Sequence, residues 1–127
     1  EYALAAGSDH ITCLPGVHFE EQSYEASYEC AVNELTWRVE QAKKAGLIFG
    51  IEAHIGSIVD TPEKAEKLAR DVDGLTLTLD YTHFAKLGIP DEEVAPLIAM
   101  PLISMRAALR RGGYRQWFLK APSTMTR

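Results

Sequence analysis

Residues 75–80 read Leu-Thr-Leu-Thr-Leu-Asp, and residues 47–52 read Leu-Ile-Phe-Gly-Ile-Glu. Side chains alternate between the two faces of a β-strand, so the first stretch predicts a strand with a leucine face and a threonine face. Asp80 ends the threonine face. The second stretch predicts a similar strand whose mixed face ends at Glu52. Each strand therefore has an apolar face that can pack on helices, and a more polar face with an acid at its carboxyl end.

The rest of the chain alternates in the same way between strand and helix. Residues 10–14 predict a further strand, which Pro15 and Gly16 stop. This alternation indicates an α/β fold with a parallel sheet and right-handed crossovers. Helices are expected at residues 21–45, from Thr61 to about Asp73, and from Asp91 onward, the last disturbed by Pro96.

A mixed strand face with acids at its carboxyl end is typical of the inner face of a (βα)8 TIM barrel. Three strands are too few to close such a barrel, so the sequence predicts a partial one. No glycine-rich phosphate-binding pattern follows any predicted strand, which disfavours an open doubly wound sheet without excluding it.

Length and composition indicate one ordinary globular domain. The 127 residues are 46% hydrophobic and 24% charged, without an apolar run long enough to cross a membrane or an evident signal peptide. The sequence begins without Met, so we expect it to start inside a longer protein. Cys13 and Cys30 fit neither a disulfide framework nor a zinc pattern, and we expect both to be buried in a cytoplasmic protein.

The charge is distributed unevenly. All 18 acidic residues lie within residues 1–100, which carry a net charge of −11, whereas residues 101–127 carry +6. The acidic part argues against nucleic-acid binding. The basic tail is an alternative candidate for a non-catalytic binding module.

Acid and histidine recur together at the ends of two predicted strands. Glu52 and His54 are two residues apart and share a strand face, while His83 follows Asp80 by three residues. Two carboxylates with imidazoles beside them suit Mn, Co or Mg, with Zn as an alternative metal. Such an ion could polarise a sugar oxygen while a carboxylate moves a proton.

Other polar and aromatic residues are weaker candidates. His10 and His18 lie outside this pattern, and a histidine in a loop is commonly a simple hydrogen-bonding residue. We expect Tyr24 and Tyr28 to belong to the core, and Trp37 to pack against it from the long helix.

Three segments carry a family resemblance: GSDHITCLPGVHFE, LIFGIEAHIGSIVDTPE and GLTLTLDYTHF. They resemble the sugar phosphate isomerase/epimerase family of xylose-isomerase-like TIM barrels, over about residues 1–99. The resemblance implies that the three strands are the fourth, fifth and sixth of the barrel. It also implies a divalent metal held by Glu, Asp, His and Glu from strands five to eight.

The family pattern assigns roles to four residues. The first two ligands map onto Glu52 and Asp80, and His83 matches a position that contacts substrate. His54 follows the local pattern, as a further substrate-binding residue. In related epimerases the strand-five Glu, here Glu52, also moves a proton through an enediolate. The implied partner is a small sugar or sugar phosphate, with no nucleic acid or membrane, and the parent protein is expected to be a homo-oligomer.

The resemblance stops near residue 99. The family would continue with a strand reading roughly Ala-Ser-His-Phe-His-Ala-Arg, whose second His is the third metal ligand. Residues 100–106 read Met-Pro-Leu-Ile-Ser-Met-Arg instead, yet their codons permit the family sequence when read two bases later. We hypothesise a partial barrel at residues 1–99, followed by a frameshifted, basic, non-homologous tail at 100–127. A divergent natural tail is the alternative, and the nucleotide sequence decides between them.

The chain would then lack the third and fourth ligands and the second proton-transfer acid. We therefore expect it to bind metal weakly and to be inactive alone. Apurinic-site endonucleases share this barrel superfamily and form the alternative enzymatic interpretation.

Overall fold

The structure, a computed structural model, describes residues 1–100 and contains a parallel sheet in the order β1-β2-β3. The observed order of strands and helices confirms the predicted α/β fold and is consistent with part of a (βα)8 barrel. The hypothesis about the tail concerns residues outside this range. The elements are α1 (Tyr2–Ala5), β1 (His10–Cys13), α2 (Tyr24–Lys44), β2 (Ile48–Glu52), α3 (Pro62–Asp71), β3 (Thr76–Thr78), α4 (Tyr81–Lys86) and α5 (Asp91–Ile98).

Side-chain caps fix where the two crossover helices begin. Ser23 accepts a hydrogen bond from the amide of Ala26 and starts α2, while Thr61 accepts one from Lys64 and starts α3. Pro62 occupies the first turn of α3, where its missing N–H costs nothing. Helix α2 ends before Gly46, whose φ of 74° is readily adopted by a residue without a side chain.

The two faces of the sheet differ as the alternation predicts. Phe49, Ile51 and Leu77 are 6%, 0% and 2% exposed and belong to the hydrophobic core. On the opposite face, Glu52 and Thr78 are only partly buried. The core therefore lies on the helix side of the sheet, and its other face is free to carry polar groups.

One hydrogen bond shows how the strands are staggered. Thr12 and Thr76 are both register partners of Gly50 on the central strand, yet the Thr12 hydroxyl bonds Thr78, at 2.9 Å between the Oγ1 atoms. Side chains that contact each other from β1 to β3 are thus offset by two residues from the strand register. Continued around eight strands, this stagger gives a shear of about 8, the value of a TIM barrel, in which alternate strands fill each layer. The contact fits the threonine face lying on the inner side of a barrel.

Some boundaries and burial assignments differ from the sequence predictions. Strand β3 ends at Thr78 rather than at Asp80, because Asp80 is the N-cap of α4, a helix that the sequence analysis missed. The interpretation of Trp37 was wrong. It is 57% exposed, because the buried residues of α2 include Leu35 and Val39, between which Trp37 faces solvent. Cys30 is also exposed, and Cys13 is intermediate.

No helix within residues 1–100 is long and apolar enough to cross a membrane.

Candidate metal centre

The carboxyl ends of the two adjacent strands β2 and β3 bring three side chains together. Glu52 is the last residue of β2 and pairs in register with Thr78, the last residue of β3. Asp80 lies two residues further along, and His83 is in the first turn of α4. Because parallel strands end at the same edge of a sheet, all three residues lie at the end where barrel enzymes carry their active sites.

These three side chains form one compact cluster, which we call the carboxylate cluster. His83 Nε2 lies 3.3 Å from Glu52 Oε1 and 3.7 Å from Asp80 Oδ2. One potential ligand atom from each residue lies within 4.8 Å of the other two. Adjacent ligands on an ion with bonds of 2.1 Å would be about 3.0 Å apart in octahedral geometry and about 3.4 Å apart in tetrahedral geometry. Small side-chain adjustments would therefore let the cluster surround a divalent ion.

The local sequence around Asp80 prepares its carboxylate for this position. Asp80 Oδ1 accepts hydrogen bonds from the backbone N–H of Thr82 at 2.9 Å and from its hydroxyl at 2.7 Å. The Thr82 hydroxyl, then its backbone N–H, and more weakly His83 and Lys86, hold the pKa of Asp80 below its usual range. The carboxylate of Asp80 therefore stays charged, and its Oδ2, the oxygen nearer His83, is available to bind a cation.

His83 has an unequal pair of ring nitrogens. Its side chain is 13% exposed, Nε2 faces the two carboxylates, and Nδ1 is buried with no hydrogen-bond partner among residues 1–100. A metal-bound histidine nearly always donates its second N–H to an acceptor. His83 Nδ1 has no such acceptor among residues 1–100. His83 nevertheless offers the third ligand atom of the cluster.

His54 approaches the cluster from the loop after β2. It lies two residues beyond the end of the strand, rather than within it, and its ring centroid is 4.0 Å from that of His83. Its Nδ1 lies 2.6 Å from the carbonyl oxygen of Ile55, which can only accept a hydrogen bond. The proton of a neutral His54 ring therefore sits on Nδ1, and Nε2 is left as an acceptor.

Comparison with protein families places the chain. A family model described as xylose isomerase-like TIM barrel matches residues 1–114. The chain belongs to this family. No curated protein and no solved structure matches it.

The family assignment confirms the fold and the wider family that the sequence motifs indicated. In a xylose isomerase-like barrel the carboxyl ends of the strands hold the chemistry, and this chain has acids and histidine there as a candidate metal site. The functional roles of Glu52, Asp80, His83 and His54, and the division of the chain at residue 99, stay predictions.

The remaining histidines lie outside the cluster. His10 Nδ1 is 2.8 Å from Asp9, and His18 Nδ1 is 3.1 Å from the hydroxyl of Ser27. The sequence analysis missed Thr82, although an acid followed two residues later by threonine at the start of a helix is a recognisable capping signal.

Proposed function

We propose that the chain is part of a divalent-metal-dependent isomerase or epimerase of sugars or sugar phosphates, inactive by itself, with Glu52 and Asp80 as two of the metal ligands. The observation that supports this most directly is the convergence of Glu52, Asp80 and His83 at the carboxyl end of the sheet. Membership of the xylose isomerase-like TIM barrel family supports an activity of this kind.

The chemistry assigned to this chain follows from where its polar atoms lie. Bound at the cluster, the cation would polarise a carbonyl or hydroxyl oxygen of the substrate. Glu52, at the end of β2, would then remove a proton from the neighbouring carbon to give an enediolate and, for isomerisation, deliver it to the former carbonyl carbon. Epimerisation would need a second acid on the opposite face of the enediolate. His83 would donate a hydrogen bond to a substrate oxygen, and His54 Nε2 would accept one from a hydroxyl. Oxygen-rich ligation favours Mn, Co or Mg, with Zn as an alternative.

Metal binding is the first test, because the 127-residue chain is expected to turn over negligible substrate by itself. Mn²⁺ titrated into the full chain at pH 7.5 and followed calorimetrically should bind weakly at one site. Glu52→Gln and Asp80→Asn should each lower the association constant about tenfold or more, since each removes a charged ligand.

Glu66→Gln is the matched control for these variants. Glu66 is also an acid, but it pairs with Arg70 on α3 and does not belong to the carboxylate cluster. It should leave Mn²⁺ binding unchanged. Equal affinities in the wild type, Glu52→Gln and Asp80→Asn would exclude the proposed site, and substantial aldose–ketose turnover by this chain alone would contradict the expected inactivity.

The family model also covers apurinic-site endonuclease-like proteins, which makes DNA the second substrate to consider. A net charge of −11 over residues 1–100 opposes a DNA-binding groove. A duplex with one abasic site, titrated at 50 and 200 mM salt, separates the two functions. Tight binding that weakens steeply with salt would favour the endonuclease.

A further inference from the structure

The loop from residue 53 to residue 61 connects Glu52 to α3 and carries His54. Within this loop Ile58 is 2% exposed, and both its backbone N–H and its carbonyl are hydrogen-bonded. The Ile58 N–H donates to the carbonyl of Gly16 at 3.0 Å, and the hydroxyl of Tyr24 donates to the Ile58 carbonyl at 2.9 Å. The loop is thus tied to the segment after β1 and to the first turn of α2.

The neighbours of Ile58 hold the backbone of His54. The His54 N–H donates to the carbonyl of Val59 at 3.1 Å, and the Ser57 N–H donates to the carbonyl of His54 at 3.0 Å. The Ser57 hydroxyl also donates to the Val59 carbonyl at 2.9 Å. Movement of Ile58 would consequently be passed to His54, whose ring contacts that of His83.

The phenol that holds this loop is itself fixed. The ring of Tyr24 stacks on that of Tyr28 at 6.1 Å between centroids, and Lys64 Nζ lies 5.1 Å from the Tyr24 centroid. Lys64 is held in turn by Asp60 at 2.7 Å, within the same loop. Tyr24 therefore presents its hydroxyl from a constrained position, rather than as a freely rotating surface group.

We propose that Tyr24 is a positioning residue, whose hydroxyl sets the placement of His54 against His83 through the Ile58 carbonyl. Its importance for catalysis rests on the proposed function, but its effect on His54 can be measured without metal or substrate. Tyr24 thus extends the site to α2, a helix that contributes no residue to the carboxylate cluster.

Tyr28 supplies a matched control. It lies one helical turn after Tyr24 on α2, and Lys67 Nζ lies 4.3 Å from its ring centroid. Its hydroxyl, however, donates to Asp71 at 2.8 Å, at the far end of α3 from the loop. Tyr→Phe at either position removes one hydroxyl from the same stacked pair, but only the Tyr24 change frees the loop that carries His54.

The test compares Tyr24→Phe and Tyr28→Phe in the full, metal-free chain by NMR. In Tyr24→Phe, the amides of His54 and Ile58 should exchange with solvent about tenfold faster, and the imidazole resonances of His54 and His83 should shift. In Tyr28→Phe, both observations should match the wild type. The urea midpoint of each variant is measured alongside, because a general loss of stability would accelerate exchange throughout the core. Unchanged histidine resonances in Tyr24→Phe, or equal changes in both variants, would overturn the proposal.

A Co²⁺ titration of the wild type tests the proposed function separately. If the wild type binds no Co²⁺ while Tyr24→Phe still shifts the His54 resonances, the positioning role stands and the metal site fails. If Co²⁺ binds and Tyr24→Phe leaves His54 unchanged, the metal site stands and the positioning role fails.

Discussion

Two groups of charged side chains within residues 1–100 differ in how their charges are balanced. The first region lies between α2 and α3, and we call it the tyrosine–lysine seam. In the seam each acid has a cation beside it. Lys64 Nζ lies 2.7 Å from Asp60, and Lys67 pairs with Asp71. The seam is made of Tyr24, Tyr28, Asp60, Lys64, Lys67 and Asp71.

The carboxylate cluster is unbalanced by comparison. Glu52 and Asp80 both face one ring nitrogen of His83, and the other ring nitrogen has no partner among residues 1–100. Charges that are already paired stabilise the protein modestly and need nothing further. Two carboxylates directed at one imidazole are stabilised most when a cation binds between them. The difference supports the proposed ligand site at the cluster, whereas the charges of the seam are already paired.

The largest effect expected from this comparison is on the ionisation of Tyr28. Burial, together with the hydrogen bond to Asp71, raises the pKa of Tyr28 to about 12, against the opposing effect of Lys67. An ordinary tyrosine ionises near pH ~10. Because the folded pKa is the higher one, this contribution to stability is complete below pH ~10 and is lost as pH rises toward 12.

Rapid mixing from pH 7 to pH 11, with absorbance followed at 295 nm, checks this expectation. Exposed phenols ionise within the mixing time, whereas only about a tenth of Tyr28 should do so before unfolding begins. The wild type and Tyr28→Phe should therefore show nearly equal fast amplitudes. If the fast amplitude of Tyr28→Phe were smaller than that of the wild type by one full phenol, Tyr28 would ionise like an exposed tyrosine, and the seam would not raise its pKa.

A second, smaller effect is on the free energy of unfolding, where removing an acid should have opposite signs in the two regions. Without metal at pH 8, Asp60→Asn should destabilise the protein by about 0.5 kcal/mol, since it removes the partner of Lys64. Glu52→Gln should stabilise it by about 0.5 kcal/mol, since it removes one of two negative charges whose oxygens lie within 4.8 Å of each other. Urea unfolding of both variants measures the two values.

With saturating Mn²⁺, Glu52→Gln should instead be less stable than the wild type. A ligand that binds only the folded state stabilises it by about 2.7 kcal/mol at one hundred times its dissociation constant, and Glu52→Gln would forfeit that gain. Asp60→Asn should keep it. Destabilisation by Glu52→Gln in the absence of metal would show that the cluster is already balanced, and the contrast between the two regions would fail.

Much of the cluster could be predicted because strand alternation has a period of two. The alternation placed Glu52 on the polar face and, with the parallel order of the strands, put Asp80 at the same edge. The strand ends were predicted less well. A capping acid competes with strand continuation, so Asp80 begins α4, and this turn is what brings His83 back onto Glu52.

The seam could not be predicted in the same way. The periodicity of α2 led to the expectation that Tyr24 and Tyr28 belong to the core, but both are only partly buried and pack against it. Their hydroxyl partners, Ile58 and Asp71, are 34 and 43 residues away along the chain. Pairing over such a distance depends on how α2 packs against α3 and against the loop before it, which no local pattern in the sequence contains.

The smallest effect concerns the pKa of Asp80, which the Thr82 hydroxyl lowers most. Thr82→Ala should move this pKa back toward the ordinary value of ~3.9, but not fully, because the Thr82 backbone N–H remains. The stability that comes from the lowered pKa is present above pH ~3.9 and is lost as pH falls through the folded value. The free energy of unfolding should therefore fall less steeply with acidification in Thr82→Ala than in the wild type. Carboxyl ¹³C NMR of Asp80 measures the shift directly.

Thr36→Ala is the control for that variant. The hydroxyl of Thr36 donates to the carbonyl of Val32 on the exposed side of α2, so its removal changes no contact of the cluster. An identical Asp80 titration in the wild type and Thr82→Ala would mean that the cap does not keep the carboxylate charged. Because protons and Mn²⁺ compete for the same oxygens, Thr82→Ala should also weaken Mn²⁺ binding more at pH 4.5 than at pH 7. That dependence would connect the capping of one short helix to the charge imbalance that distinguishes the cluster from the seam.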